Sequence, residues 1–475
     1  MTATSNANLA EGEGARKDLL STLQPGISLH GEGGRYKLDA RLGAQLLSYA
    51  RGSQTDRVAP QAHAELAATL AERLVFVEAF SDVRQAEIDP YAARLDGQGL
   101  GQDARNKNAR NTATHRLSPY ISHEWASGTN LLLRHDEQLT QTEGAGVSNQ
   151  RLSRSQWRLA RQPAPLGGAI EWTREDVNLS GLAAGEWRAE SLKAVATAAL
   201  GGEWVIGPLF GSERTHFLLG DRSDTLYGAR LYWQPGARTQ FDADLEHRYF
   251  GTGWDLRLRH RMPWLALAVQ WSRQPVTAAT STGIAGAGSD LAGFLDAIFT
   301  TRVPDAAARS ALVNELIASR GLRRELPGAV DVLAGYAQLR QDFNASAAWI
   351  AGRNSATLTL YQRSLRRLER AGDPLDAALA GNADNRQAGA TLALNRQLTP
   401  LLTLDFSSSW SRISGLASRL GDESRERSHR LMLKQWLSPR TGVSAGLRYN
   451  RLRSNVPGLA SFEAASALVG LDHHF

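Results

Sequence analysis

Along most of this chain every second side chain is apolar, and the last segment shows it most plainly. Between Ser461 and Phe475, Ala465, Ala467, Val469, Leu471, His473 and Phe475 fall on one face of an extended strand. Ser466, Gly470, Asp472 and His474 fall on the other, with Leu468 out of pattern. A strand with one greasy face and one polar face that stops on an aromatic residue has the form of the closing strand of an outer-membrane β-barrel. Val469, Leu471 and Phe475 carry that C-terminal signature.

The same period recurs upstream. In Tyr36, Leu38, Ala40, Leu42, Ala44 and Leu46 each even position is apolar, and Lys37, Asp39, Arg41 and Gln45 fill odd ones. A helix would smear that pattern over all its faces. Tyr227/Ala229/Leu231/Trp233, Leu265/Leu267/Val269/Trp271, Leu402/Leu404/Phe406 and Val443/Ala445/Leu447/Tyr449 repeat it. Such segments run long enough for the roughly 9 to 11 residues that cross a bilayer at a tilt. Several end on Trp or Tyr, where an aromatic girdle belongs.

Composition excludes the competing classes. The chain is 42% hydrophobic with a mean hydropathy of −0.34, yet no apolar run approaches the roughly 18 residues of a spanning helix. Membrane residence therefore has to come from strands. A net charge of +6 is spread too thinly for a nucleic-acid footprint, so no nucleic-acid partner is expected. With no cysteine there is neither a disulfide nor a thiolate metal site.

The connections alternate in length. Short turns bearing Pro or Gly occur at Gly31–Gly34, Gln234–Ala237, Met262–Trp264, Thr399–Leu401 and Ser438–Gly442, and are assigned to a periplasmic rim. Longer polar stretches, Asp89–Ala113, Val276–Gly328, Glu369–Asp384 and Ala417–Arg425, become external loops. Counting from Leu20 gives about 21 strands, and such barrels carry an even number. If Phe475 ends at the periplasm, Leu20–His30 must descend, and one upward strand is missing before it. The expected fold is thus a single all-β transmembrane antiparallel barrel of about 20 to 22 strands over 1–475, without its first strand and signal peptide.

One loop, 276–328, differs from the rest. Ser289-Asp290 is placed to cap a short helix running to Thr301, and Pro304-Asp305 to open a second with Ala308, Leu312, Leu316 and Ile317 on one stripe, ending at Gly321. Gly283, Gly286 and Gly288 read as a flexible hinge, because no P-loop Lys-Ser/Thr follows them. The helical hairpin either caps or narrows the pore, or lies on the surface.

The richest constellation lies on neighbouring strands. Asp242, Asp244 and Glu246 alternate with Phe241, Ala243 and Leu245; Arg257, Arg259 and Arg261 alternate with Leu256 and Leu258. A tight turn at Gly251-Thr252 would pair Glu246 with Arg257, Asp244 with Arg259 and Asp242 with Arg261, and Arg230 on the preceding strand extends the patch. All must face the lumen, since an Arg at the bilayer midplane costs roughly 2 to 4 kcal/mol. The ladder is either a guide for a charged saccharide or other hydrophilic solute, or a set of wet ion pairs worth about 0 to 1 kcal/mol each.

Catalytic signals are weak, and no enzyme, metal or cofactor is expected. His135-Asp136 and His473-His474 come without HExxH, GxSxG or paired-ligand spacing. Trp125, Trp157, Trp172, Trp187, Trp204 and Trp254 are read mainly as girdle anchors.

The run Leu295-Asp-Ala-Ile-Phe-Thr-Thr-Arg-Val-Pro-Asp-Ala-Ala-Ala-Arg-Ser-Ala-Leu-Val-Asn-Glu-Leu-Ile-Ala-Ser-Arg-Gly-Leu322 and the later Gly352-Arg-Asn-Ser-Ala-Thr-Leu-Thr-Leu360 resemble the helical loop and next hairpin of the PEP-CTERM-system-associated outer-membrane proteins. Pro25–Leu29 and Gly31–Gly34 resemble that family's early hairpin. The resemblance implies an outer-membrane barrel of Gram-negative bacteria that have the exosortase sorting system, which is associated with exopolysaccharide production. It also implies a signal peptide and opening strand ahead of Asn8, and it supplies no catalytic residues. The function expected is a non-enzymatic conduit or assembly component for surface polysaccharide. Its partners would be outer-membrane lipid, the barrel-assembly machinery and polysaccharide-export components. The alternative is a closed scaffold that binds extracellular matrix or sorted proteins through its external loops.

Overall fold

A computed structural model describes the whole chain except residues 88, 94–107, 144–148, 181–184, 218–219, 277–290, 301–302, 304, 321–327, 331–336 and 369–383. Strand β1 (Thr2–Thr4) leads to β2 (Asp18–Leu23), β3 (Gly26–Glu32), β4 (Tyr36–Tyr49), β5 (Arg57–Ala71), β6 (Val75–Glu87), β7 (Ala109–Glu124) and β8 (Thr129–Thr142). Then come β9 (Asn149–Arg161), β10 (Leu166–Ser180), β11 (Gly185–Leu200), β12 (Trp204–Phe217), β13 (Gly220–Gly236), β14 (Thr239–Arg248), β15 (Gly251–Arg261) and β16 (Leu265–Val276). Helices α1 (Leu291–Phe299) and α2 (Ala306–Arg320) interrupt the meander. It resumes with β17 (Gln338–Ala351), β18 (Asn354–Arg367), β19 (Asn385–Thr399), β20 (Leu402–Gly415), β21 (Glu423–Ser438), β22 (Thr441–Ser454) and β23 (Phe462–His473).

All 23 segments belong to one sheet, and β2 and β3 both pair with β4, so the wall has 22 staves. Gln24-Pro25 separates the two halves of that stave, because proline cannot donate to the ladder. Each stave runs antiparallel to the next, and the ring closes through β1, where Thr2 lies opposite both Leu468 and Leu20. The Met1 amine donates to the Val469 carbonyl at 2.8 Å, and the Val469 N–H donates back to Met1 at 3.0 Å. The expectation of a strand missing before Leu20 is therefore corrected: Thr2–Thr4 occupies that place in the ring. Its three residues carry too short an alternation to be recognised. Among the described residues β3 pairs only with β4, so β1 closes the seam over the upper part of the stave alone.

Alternation decides which way each side chain points. On β23, Val469 and Leu471 project outward at 65% and 69% exposure, whereas Leu468 turns inward and is 3% exposed. Leu468 fits the two-residue period after all; it is an apolar residue on the inner face. Outward apolar side chains recur around the ring, among them Leu42, Ile170, Leu245, Leu358 and Leu447. Barrel closure satisfies the backbone while this greasy exterior meets lipid. Outward Trp204 and Trp233 stack at 5.2 Å near one end of the staves, and Trp254 and Trp271 meet at 5.1 Å near the other.

Connections at the end where the chain finishes are short, at 33–35, 72–74, 201–203, 237–238, 262–264, 352–353, 400–401 and 439–440. The opposite end carries the long ones, including 88–108, 277–337 and 368–384. The described residues contain no helix long and apolar enough to cross a membrane.

Candidate functional site

The acidic and basic ladders do lie on neighbouring staves, but in another register. The β14–β15 turn is Tyr249-Phe250, with Arg248 opposite Gly251, and Gly251 has φ +97°. A left-handed glycine closing a hairpin just after the turn explains its place, and an L side chain there would be strained. Asp242 consequently faces Arg257, Asp244 faces Asp255 and Glu246 faces Gly253, in place of the expected Arg261, Arg259 and Arg257. The slip is four residues. Because four is even, Asp242, Asp244, Glu246, Arg257, Arg259 and Arg261 all keep the inward direction that the period assigns.

Their partners come from farther round the wall. Arg230 on β13 donates to Asp244 at 2.6 Å and pairs with Glu171, three staves away on β10, at 3.2 Å; Arg158 on β9 reaches the same Glu171 at 3.0 Å. Lys193 on β11 binds Glu246 at 2.6 Å, and Arg248 binds Glu213 at 2.7 Å. Arg257 pairs with Asp255, Arg261 donates to the Ala237 carbonyl at 2.7 Å, and Gln240 donates to Asp242 at 2.9 Å. Arg259 has no ionic partner among the described residues and points into the lumen. Among the described residues the inner wall from β9 to β15 thus carries a crosslinked set of ion pairs around Arg259, with the apolar cluster Val195, Leu209 and Leu226 beside it.

Sequence reasoning did not single out Glu171, Lys193 or Glu213: Lys193 and Glu213 pair with non-adjacent staves, and Glu171 joins adjacent Arg158 to Arg230 three staves away. It also passed over a buried cluster on β17 and β18, where Asp342 binds Arg363 at 2.7 Å and Arg340 at 3.1 Å. The signal available was the inward parity of Arg340, Asp342 and Arg363, each too costly to face lipid.

The helical loop lies inside the barrel. Leu295 of α1 and Val313 and Ile317 of α2 form one buried cluster with Ala266 of β16 and Ala348 of β17. The latter two point inward, since Leu265 and Trp349 beside them face out. Ala266 and Ala348 sit close to the short turns, so the pair descends nearly the length of the lumen from strand ends at the opposite rim. Small alanines on the wall leave room for the helices to approach. Asp305 caps α2 by accepting the Ala308 N–H at 2.7 Å, and Arg309 donates to Asp296 of α1 at 2.7 Å. That ion pair turns Arg309, Val313, Leu316 and Ile317 inward. The expected stripe is corrected accordingly: Ala308 and Leu312 are exposed. Gly283, Gly286, Gly288 and Ser289-Asp290 lie outside the described residues.

Two further clusters cross the lumen near the long-loop end. Leu152, Val177 and Trp187, from β9, β10 and β11, pack against Ala337 at the head of β17. Trp187 is therefore a core residue of the mouth, unlike outward Trp157, Trp172, Trp204 and Trp254. From the 88–108 connection, Tyr91 is fully buried against Ile413 and Val456, with the Arg419 guanidinium 4.4 Å from its ring centre. Asp89 accepts the Tyr91 N–H at 2.9 Å, and burial pushes its carboxyl above the ordinary value. Burial likewise pushes the Tyr91 phenol up to about 12.

The alternation separates the members of the His135-Asp136 dipeptide. His135 points outward to Ser155 at 2.9 Å while Asp136 points inward to Arg134 at 2.8 Å. His473 meets Thr441 at 2.9 Å at the short-turn rim.

Fold and lumen together define an outer-membrane-type β-barrel, closed at 22 staves and partly filled by its own helical loop. Solved structures that the chain resembles agree in architecture. The chain is similar to the FrpB iron transporter from Neisseria meningitidis, F3-3 variant, at TM-score 0.52 and 9% identity, covering 100% of this chain and 80% of that one. The F5-1 variant gives TM-score 0.51 at 9% identity, covering 100% and 81%. No protein-family model and no curated protein matches the chain.

Proposed function

We propose that the chain resides in the outer membrane and serves, without catalysis, as a conduit or assembly component for surface polysaccharide linked to the PEP-CTERM exosortase system. The observation that carries this reading is the helix pair seated against Ala266 and Ala348 inside a lumen whose wall carries crosslinked ion pairs. A wall of this kind offers water-like partners to a hydrated, charged saccharide, and Arg259 adds a cation with no ionic partner among the described residues. The helix pair then acts as a constriction that the solute must pass or displace. In this reading the short turns face the periplasm and the long connections face outward. Outer-membrane lipid, the barrel-assembly machinery and polysaccharide-export components are the partners.

Planar-bilayer reconstitution tests it. Wild-type protein should conduct weakly, and deletion of 277–328 should raise conductance; a deletion variant that inserts and stays silent would sink the conduit. The apolar clusters at Trp187 and Tyr91 favour a second reading, a closed scaffold that binds matrix or sorted proteins through its loops. Binding that disappears with the 88–108 loop, in a protein that never conducts, selects that reading.

A further inference from the structure

On the outward face of β20–β23, five arginines gather at the long-loop end: Arg412, Arg425, Arg427, Arg451 and Arg453. Two carboxylates stand among them. Glu423 binds Arg412 at 2.7 Å and also Arg425, and Glu463 pairs with Arg451 at 2.8 Å. Five cations against two anions leave a local charge of +3. Arg427 and Arg453 have no ionic partner among the described residues. Arg425 lies directly opposite Arg453, and Arg427 opposite Arg451. Like charges placed directly across a ladder destabilise it, so an anion between them would relieve a real cost. The outward face of β10–β11 at the same end shows the ordinary alternative, with Arg174 and Arg188 matched by Asp176 and Glu186.

Directly below the arginines the wall turns apolar and concave. His429 and Tyr449 stack with ring centres 6.3 Å apart, and under them a groove of about 460 Å³ runs between Phe406, Leu431, Leu447, Ala465 and Ala467. The two alanines of β23 make the hollow. Neither the ionic lumen nor the helix pair uses this surface.

We infer that this face binds a phosphorylated lipid of the outer leaflet, with phosphate held by Arg427, Arg451 and Arg453 and an acyl chain laid in the Ala465/Ala467 groove. Guanidinium groups suit phosphate because their planar fork donates two hydrogen bonds at once. Charge over an apolar groove, in that vertical order, matches an amphiphile standing in a membrane and not a soluble anion. The inference rests on the outer-membrane placement proposed above.

Native mass spectrometry of the detergent-purified protein, titrated with bisphosphorylated lipid A, tests the site. Arg427→Gln with Arg453→Gln should weaken binding at least tenfold, removal of the lipid phosphates should weaken it comparably, and Ala467→Phe should weaken it several-fold with the arginines intact. Heat-modifiable gel migration and bilayer insertion confirm that each variant is folded. Equal binding by wild type and both variants would overturn the site, as would inorganic phosphate displacing nothing less than the lipid does. Protein that inserts into bilayers yet ignores lipid A refutes the site alone; protein that never inserts refutes the membrane placement and the site with it.

Discussion

Leu295→Ala is the sharpest perturbation of the lumen. Leu295 is 1% exposed and touches wall and helix at once through Ala266, Ala348, Val313 and Ile317. Truncating a leucine so enclosed costs about 2 to 5 kcal/mol, transfer and cavity together. Each ~1.4 kcal/mol is tenfold in an equilibrium, so the undocked fraction of the helix pair should rise by roughly one and a half to three and a half decades. The strands themselves are untouched, and the loss falls on docking. Leu312→Ala is the matched control: on the same pair but 36% exposed, it should change docking by no more than about 0.5 kcal/mol, about twofold. Single-channel recording reads the outcome as frequency of large openings, and protease sensitivity near α2 supports it. If L295A and L312A open equally often, the helices are not held by this contact and the constriction model fails.

Arg230→Met strands Asp244 on the inner wall, leaves Glu171 to Arg158 alone, and should lower stability by about 1 to 3 kcal/mol, read as a shifted urea midpoint in detergent; Arg259→Met, with no ionic partner among the described residues to lose, should stay within about 0.5 kcal/mol while moving the reversal potential toward cations. Because the chain has no cysteine, Asp242→Cys with Arg257→Cys should crosslink on mild oxidation, whereas Glu246→Cys with Arg257→Cys should not; the opposite result would restore the other register. The raised Asp89 carboxyl makes its neutral form the one favoured in the folded loop. That contribution is fully present below the ordinary value near 3.8 and is lost as pH rises through the raised one, so Tyr91 burial should loosen with rising pH. Asp89→Asn should abolish the dependence, checked by the ratio of maleimide labelling rates at Ala92→Cys in the two backgrounds.

What could be read from the sequence follows from the bilayer's severity. A charge facing lipid is so costly that the two-residue period survives in nearly every stave, and that period puts Asp242, Asp244, Glu246 and the three arginines on one face. The same period is blind to a slip of four, which is why the turn moved from Gly251-Thr252 to Tyr249-Phe250 unnoticed. Apolar residues that face inward, such as Val177 and Trp187, look like errors of pattern until Ala337 from across the barrel appears beside them. Helix rotation was misjudged on hydrophobicity alone, since Leu312 is as greasy as Val313; the Arg309–Asp296 pair decides between them.

The most direct measurement of the central claim is an accessibility scan along β14. Spin labels placed singly from Gln240 to Arg248 in liposomes would report a water-soluble relaxant at each even position and membrane oxygen at Phe241, Ala243 and Leu245. Such alternation is what a wet lumen behind a lipid-facing wall requires. A flat profile, or maxima every three to four residues, would contradict it.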